Sequence, residues 1–165
     1  MTLQRLSDCD VCHLMKSFSK YWVPVLVWLG LIFLGSTDVL SAEHTSRFLV
    51  PFLRWLDPHI TWATLNFAQM LIRKLGHLTE YAVLATLLWR AIRGGAAWTS
   101  KQWVLFVGIW AICAGFAATD EFHQSFVPSR TSSFRDVLID TCGALIGLTI
   151  CIALASRKVV KESRV

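Results

Sequence analysis

Two short stretches of this chain hold nearly all of its reactive side chains. The first contains Lys74, His77, Glu80 and Tyr81. The second contains Asp120, Glu121 and Gln124, followed by Arg130, Asp136 and Asp140. Carboxylates held close together ionise unequally, which supplies one acid and one base. Asp120, Glu121, His77 and Asp140 are therefore the candidates for proton transfer, with His77 or Glu121 as the base. Lys74 and Arg130 have the charge to hold a phosphate or another anion. Gln124, Glu80, Tyr81 and Asp136 complete the candidate binding set.

Helical geometry groups these residues. At 100° per residue, Lys74, His77, Glu80 and Tyr81 fall within an arc of about 120°. Asp120, Glu121 and Gln124 share an arc of about 100° if the helix before them continues that far. Acidic groups at a helix C-terminus oppose its dipole, so helix stability does not account for them. Ser133 and Asp136 have the spacing of a capping box, which is an ordinary structural role for Asp136. Asp140 lies one turn deeper and has no such role. Asp136, Asp140, Gly143 and Gly147 share an arc of about 60°, a stripe that is acidic and then small. Gly143 and Gly147 are the expected helix-packing positions, because small residues let a second helix approach closely.

The elements that position these groups are strongly apolar. The chain has 165 residues, 55% of them hydrophobic, with eight Trp and a mean hydropathy of +0.52. A single domain this apolar reads as a polytopic membrane protein, and a soluble chain would need unusually buried helices. The expected fold is all-α: four transmembrane helices with an amphipathic interfacial helix between the first and second. The spans are predicted at about 22–37, 69–89, 103–118 and 136–155. Between the first two, Phe48, Leu49, Phe52, Leu53 and Leu56 recur at helical spacing with Arg47 and Arg54 among them. That pattern fits a helix lying in the membrane surface, or a loop packing its apolar face on the bundle. The expected organisation is an N-terminal tail at 1–20, the membrane domain at 21–156 and a basic tail at 157–165.

The net charge of +5 does not point to nucleic acid, because the basic residues gather at the ends of apolar segments. Ten Lys and Arg fall on the side of the two termini and the second loop, and six on the other side. The positive-inside rule then places both termini in the cytoplasm, in a bacterial inner membrane. No cleavable signal peptide is expected, since Asp8 and Asp10 stand where one would be apolar. This orientation brings Ser36, Thr37 and all the candidate residues to the outer leaflet at one depth. A charge at mid-bilayer costs about 2.5–3.5 kcal/mol, so such groups must pair or serve a site. Lys74 and Arg130 are expected to neutralise Asp120, Glu121 and Asp140.

The N-terminal Cys9-Asp-Val-Cys-His13 has the form of a haem attachment site, but it lies at the cytoplasmic end and has no partner motif. Cys113, Cys142 and Cys151 read as small hydrophobes. No cofactor is expected. Glu80, His77, Asp120, Glu121 and His123 are ligand types that suit zinc or manganese, but their spacing matches no metal motif, so no metal is assigned.

The same residues carry a family resemblance. The stretch RKLGHLTEYAVL resembles the R-K-x-x-H-x-x-E-Y-x-x-L signature of VanZ-like membrane proteins. The stretch DEFHQSFVPSRTSSFRDVLIDTCGALIG resembles their second, acidic and Gly-containing signature. Ser129 and Ala85 stand where that family often has Gly. The resemblance implies a cell-envelope protein related to those linked to resistance to teicoplanin-type glycopeptide antibiotics. It implies no particular reaction. Three readings therefore stand open. They are an enzyme acting on a lipid, lipid-linked precursor or other anionic amphiphile, a non-catalytic binding or transport module with the polar cluster as a helix clamp, and a metal site. The bilayer is the expected partner, and nucleic acid is not.

Overall fold

The computed structural model describes the backbone of residues 2–37, 42–93, 102–127 and 132–162, and the side chains of 18–37, 46–93, 102–127 and 132–157. Five helices account for most of it: α1 (Thr2–Ser36), α2 (Ala42–Leu56), α3 (Trp62–Arg93), α4 (Gln102–Gln124) and α5 (Phe134–Glu162). There is no strand among the described residues. Among the described residues, three segments are long and apolar enough to cross a membrane: Phe18–Ser36, Gln102–Gln124 and Phe134–Arg157. Their lengths of 19, 23 and 24 residues suit a hydrocarbon core about 30 Å thick. The chain is accordingly a multi-pass membrane protein. α3 has 32 residues, about 48 Å of helix, but it carries Arg73, Lys74, Glu80, Arg90 and Arg93 and is not among these apolar segments.

Local chemistry sets several helix ends. The Asp57 carboxylate accepts the His59 amide at 3.0 Å in a turn that follows α2. The Thr61 hydroxyl accepts the Thr64 amide at 3.3 Å and caps α3, which therefore starts some seven residues before the expected span. At its other end, Arg90 and Arg93 complement the helix dipole. α4 continues through Asp120 and Glu121 to Gln124, past the expected end of its span.

α3 is the central element and its most extensive contact is with α5. The core is built from Tyr81, Leu84, Ala85 and Leu88 of α3, Ile109, Cys113 and Ala117 of α4, Ala144 and Leu148 of α5, and Val25 and Ile32 of α1. Cys113 fills space in that core, as expected for a small hydrophobe. Long-range contacts fix the directions of the helices. The Arg90 guanidinium lies 5.4 Å from the Tyr21 ring, and the Trp28 indole N–H donates to the Glu80 carbonyl at 2.9 Å, so α1 runs against α3. The Trp110 indole N–H donates to the Thr141 carbonyl at 3.3 Å and Glu121 near the end of α4 meets Ser133 just before α5, so α4 runs against α5. Phe33 meets His123 at 4.8 Å, which brings the ends of α1 and α4 together.

α3 and α5 run parallel and unusually close. A Cβ at Gly143 would overlap the Leu78 carbonyl, and one at Gly147 would overlap the Ala82 carbonyl. The small stripe thus packs on the α3 backbone one turn at a time, as its spacing predicts. α2 forms the expected helix between the first two apolar segments. It does not bury its apolar face on the bundle: Phe48, Phe52, Trp55 and Leu56 are exposed.

Candidate functional site

Opposing directions of α1 and α4 relative to α3 and α5 collect the polar stretches at one end of the bundle. The end of α1 contributes Ser36, the middle of α3 contributes Arg73 to Tyr81, the end of α4 contributes Asp120 to Gln124, and the start of α5 contributes Asp136 and Asp140. Ser36, His77, Tyr81, Glu121, Gln124, Asp136 and Asp140 are all buried. Burying so many polar groups in an apolar bundle is costly unless each finds a partner.

The outermost layer is an ion cluster. Lys74 Nζ pairs with Asp136 Oδ1, and Arg73 Nη2 lies 3.5 Å from Asp136 Oδ2. The two cationic side chains are about a third exposed, at 35% and 30%, whereas that of Asp136 is nearly enclosed. Lys74 therefore pairs with Asp136, and among the described residues it makes no ion pair with Asp120, Glu121 or Asp140. Asp140, the expected partner on the same helix, faces His77 instead. Arg130 and Pro128 lie outside the described residues.

Ser133 explains why Asp136 is available. Its hydroxyl accepts the Arg135 amide at 3.2 Å, an N-cap bond one residue short of the Asp136 amide that the first half of a capping box takes. In the second half, Asp136 would accept the Ser133 amide. That amide instead donates to Glu121 Oε2 at 2.8 Å. A carboxylate from α4 thus caps α5 in place of the helix's own acid, and the capping role expected of Asp136 is not what holds it.

Behind this layer lies the innermost group. His77 Nδ1 is 3.2 Å from Asp140 Oδ1, and Asp140 is fully buried. The alignment falls short of a hydrogen bond, and His77 Nδ1 and both Asp140 oxygens have no hydrogen-bond partner. Glu121 Oε1 is in the same condition. Potential ligand atoms of His77, Glu121 and Asp140 all lie within 4.8 Å of one another. Three helices supply one residue each.

The remaining candidates surround this group. Gln124 Nε2 donates to Asp120 Oδ2 at 3.0 Å along α4, leaving Gln124 Oε1 without a partner. The Tyr81 hydroxyl, one turn beyond His77, is buried without a partner, as is the Ser36 hydroxyl. Glu80 is half-buried, and its backbone carbonyl receives Trp28. Two contributors were not singled out by the sequence. Arg73 enters the sequence reading only within the RKLGHLTEYAVL stretch, and Ser133 only as a helix cap. Arg73 could have been found from its place beside Lys74. The Ser133 contact is made across two helices and leaves no local pattern.

This arrangement can hold an anion at a cationic rim and offer two carboxylates and an imidazole behind it. Some of the polar atoms have no partner in the protein, so the group is more than a set of closed salt bridges. No curated protein and no solved structure matches the chain. The family model VanZ/LLP1 matches residues 21–155. That span takes in both polar stretches and every helix that builds the cluster, and the chain belongs to the VanZ/LLP1 family.

Proposed function

We propose that this chain crosses the bacterial inner membrane four times with both termini in the cytoplasm, and that its polar cluster faces the outer leaflet and binds and modifies an anionic amphiphile. α3 is the fourth span, its charges matched by the other helices. α2 lies in the membrane surface with Phe48, Phe52 and Trp55 in the acyl boundary. The amphiphile is a lipid, a lipid-linked cell-envelope precursor or a glycopeptide antibiotic of the teicoplanin type. Its head group meets Lys74 and Arg73 at the rim, with Arg130 as a further cation, and His77, Glu121 and Asp140 lie behind. Asp120 and Gln124 orient the end of α4.

The observation that carries this reading is the convergence of buried His77, Glu121 and Asp140 with polar atoms left open. A structural clamp has every reason to close its hydrogen bonds, since an open buried polar atom costs about 1–3 kcal/mol. The Lys74–Asp136 pair favours the second reading, a clamp without chemistry, but only for the outer layer.

The test is complementation of a deletion strain with wild type, His77→Ala, Glu121→Gln or Asp140→Asn, reading membrane lipids and cell-wall precursors by mass spectrometry. Wild type restores the profile and the three variants do not, although they accumulate in the membrane. Variants that restore it fully remove these residues from the function. In a purified reaction, loss of a proton-transfer group lowers the rate about 10²–10⁴-fold. A weaker ligand affinity with no turnover in wild type identifies a binding module.

A further inference from the structure

The innermost three residues are set up for a cation as well as for a proton. We propose that His77, Glu121 and Asp140 bind one divalent transition metal, zinc or manganese. This set differs from the one that ligand types alone offered: Asp140 enters, and Glu80, Asp120 and His123 leave.

Four observations point to it. First, the donors are of the right type, one imidazole nitrogen and two carboxylate oxygens, contributed by three helices. Second, each is at least nine-tenths buried: exposure is 7% for His77, 5% for Glu121 and 0% for Asp140. His77 Nδ1, Glu121 Oε1 and both Asp140 oxygens lack a hydrogen-bond partner. Third, the 3.2 Å between His77 Nδ1 and Asp140 Oδ1 is poorly aligned for a hydrogen bond. It is close to the separation of two ligands on one ion, about 3.4 Å for tetrahedral bonds of about 2.1 Å. Fourth, Glu121 is already oriented. Its Oε2 takes the Ser133 amide, which turns the other oxygen free for an ion, the way outer contacts fix metal ligands.

Charge favours a cation over a water molecule. Two buried carboxylates with a neutral imidazole carry −2, and among the described residues no Lys or Arg forms an ion pair with either. A water molecule would supply hydrogen bonds but no charge. A protonated imidazole would leave the group at −1. A divalent ion brings the sum to zero, and burial of unbalanced charge is what an apolar bundle least tolerates. Three protein ligands leave a coordination position open, the pattern of reactive rather than purely structural sites. The proposal deepens the amphiphile reading by placing a cation where a head-group oxygen would meet it, and to that extent rests on it. The ion's binding needs no amphiphile and is measured without one.

The experiment uses the full chain purified in detergent, loaded with zinc or manganese, desalted, and assayed for metal by mass spectrometry. Wild type carries about one equivalent. His77→Ala, Glu121→Gln and Asp140→Asn each lose most of it, and Asp120→Asn keeps it. Cobalt titration of the wild type guards against variants that merely misfold: saturable binding brings visible d–d absorption, and zinc removes it. Wild type without metal, cobalt without absorption, or an Asp120→Asn loss as large as the others overturns the proposal. A one-equivalent site with unchanged lipid profiles in the variants would leave the metal standing and sink the amphiphile reading. Changed profiles with a metal-free wild type would do the reverse.

Discussion

Glu121 is tied at one oxygen and open at the other, and Asp136 is surrounded because Glu121 is tied. The two facts are linked through one backbone amide. Glu121 takes the Ser133 N–H, so Asp136 is left to Lys74 and Arg73. Asp136→Asn therefore removes a charge partner from two cations at once, and it does so without removing a cap. The cations are about a third exposed, so the loss falls between that of a surface pair and that of a buried one, roughly 1–3 kcal/mol. Thermal unfolding in detergent should show a clear drop in Tm for Asp136→Asn and little recovery with Asp136→Ser, a good cap that cannot balance charge. Equal stability of the Ser variant and wild type would return Asp136 to a capping role. The spacing Ser133-x-x-Asp136 made capping the natural reading of the sequence, because local patterns report only local partners. That a carboxylate twelve residues away takes the amide is visible only once α4 and α5 are side by side.

The membrane-crossing parts of the helices were visible in the sequence as runs of apolar residues, whereas α2, the first half of α1 and the helix ends were not. α3 starts at Trp62 because Thr61 caps it, whereas the apolar run becomes obvious only near Gln69. α4 keeps its helical hydrogen bonds past the point where the sequence turns acidic. The Gly143 and Gly147 stripe was legible, since small residues four apart on one face imply a close neighbour. Which neighbour was not legible, because glycine has no side chain to specify one. The contact is with the α3 backbone at Leu78 and Ala82, and it sets the depth at which His77 faces Asp140. A side chain at Gly143 must push α3 and α5 apart. Gly143→Val should cost roughly 1–3 kcal/mol or more by overpacking and should also lower the function of the site. Unfolding and lipid profiling of Gly143→Ala and Gly143→Val check this, and a Val variant as active as wild type would detach the stripe from the site. Exposed hydroxyls are handled within the helices themselves: Thr79, Thr86, Thr119 and Thr149 each donate to a carbonyl one turn back. Such bonds let a polar side chain sit on an apolar face without an unpaired donor.

Across the whole molecule, the all-helical class and the gathering of polar residues at one end were legible from composition and from the side of the charges. The pairing within that end was not, since it depends on α3 and α5 running parallel with α4 returning between them. The proposed membrane orientation rests on charge alone, and it is open to a direct check. A fluorescent protein fused after Val165 should glow, and alkaline phosphatase fused in the loop near His59 should be active, if both termini are cytoplasmic. The opposite pattern would turn the cluster to the inner leaflet and remove extracellular ligands from consideration. The parallel pair also has a history during synthesis. On the four-span reading, α3 reaches the membrane with Arg73 and Lys74 before their acid, 62 residues after Lys74, has been made. α3 is the one long helix of the bundle that composition alone does not qualify as a span. On that reading the secure seating of α3 waits for the last helix, and the chain would complete its insertion as a group rather than one segment at a time.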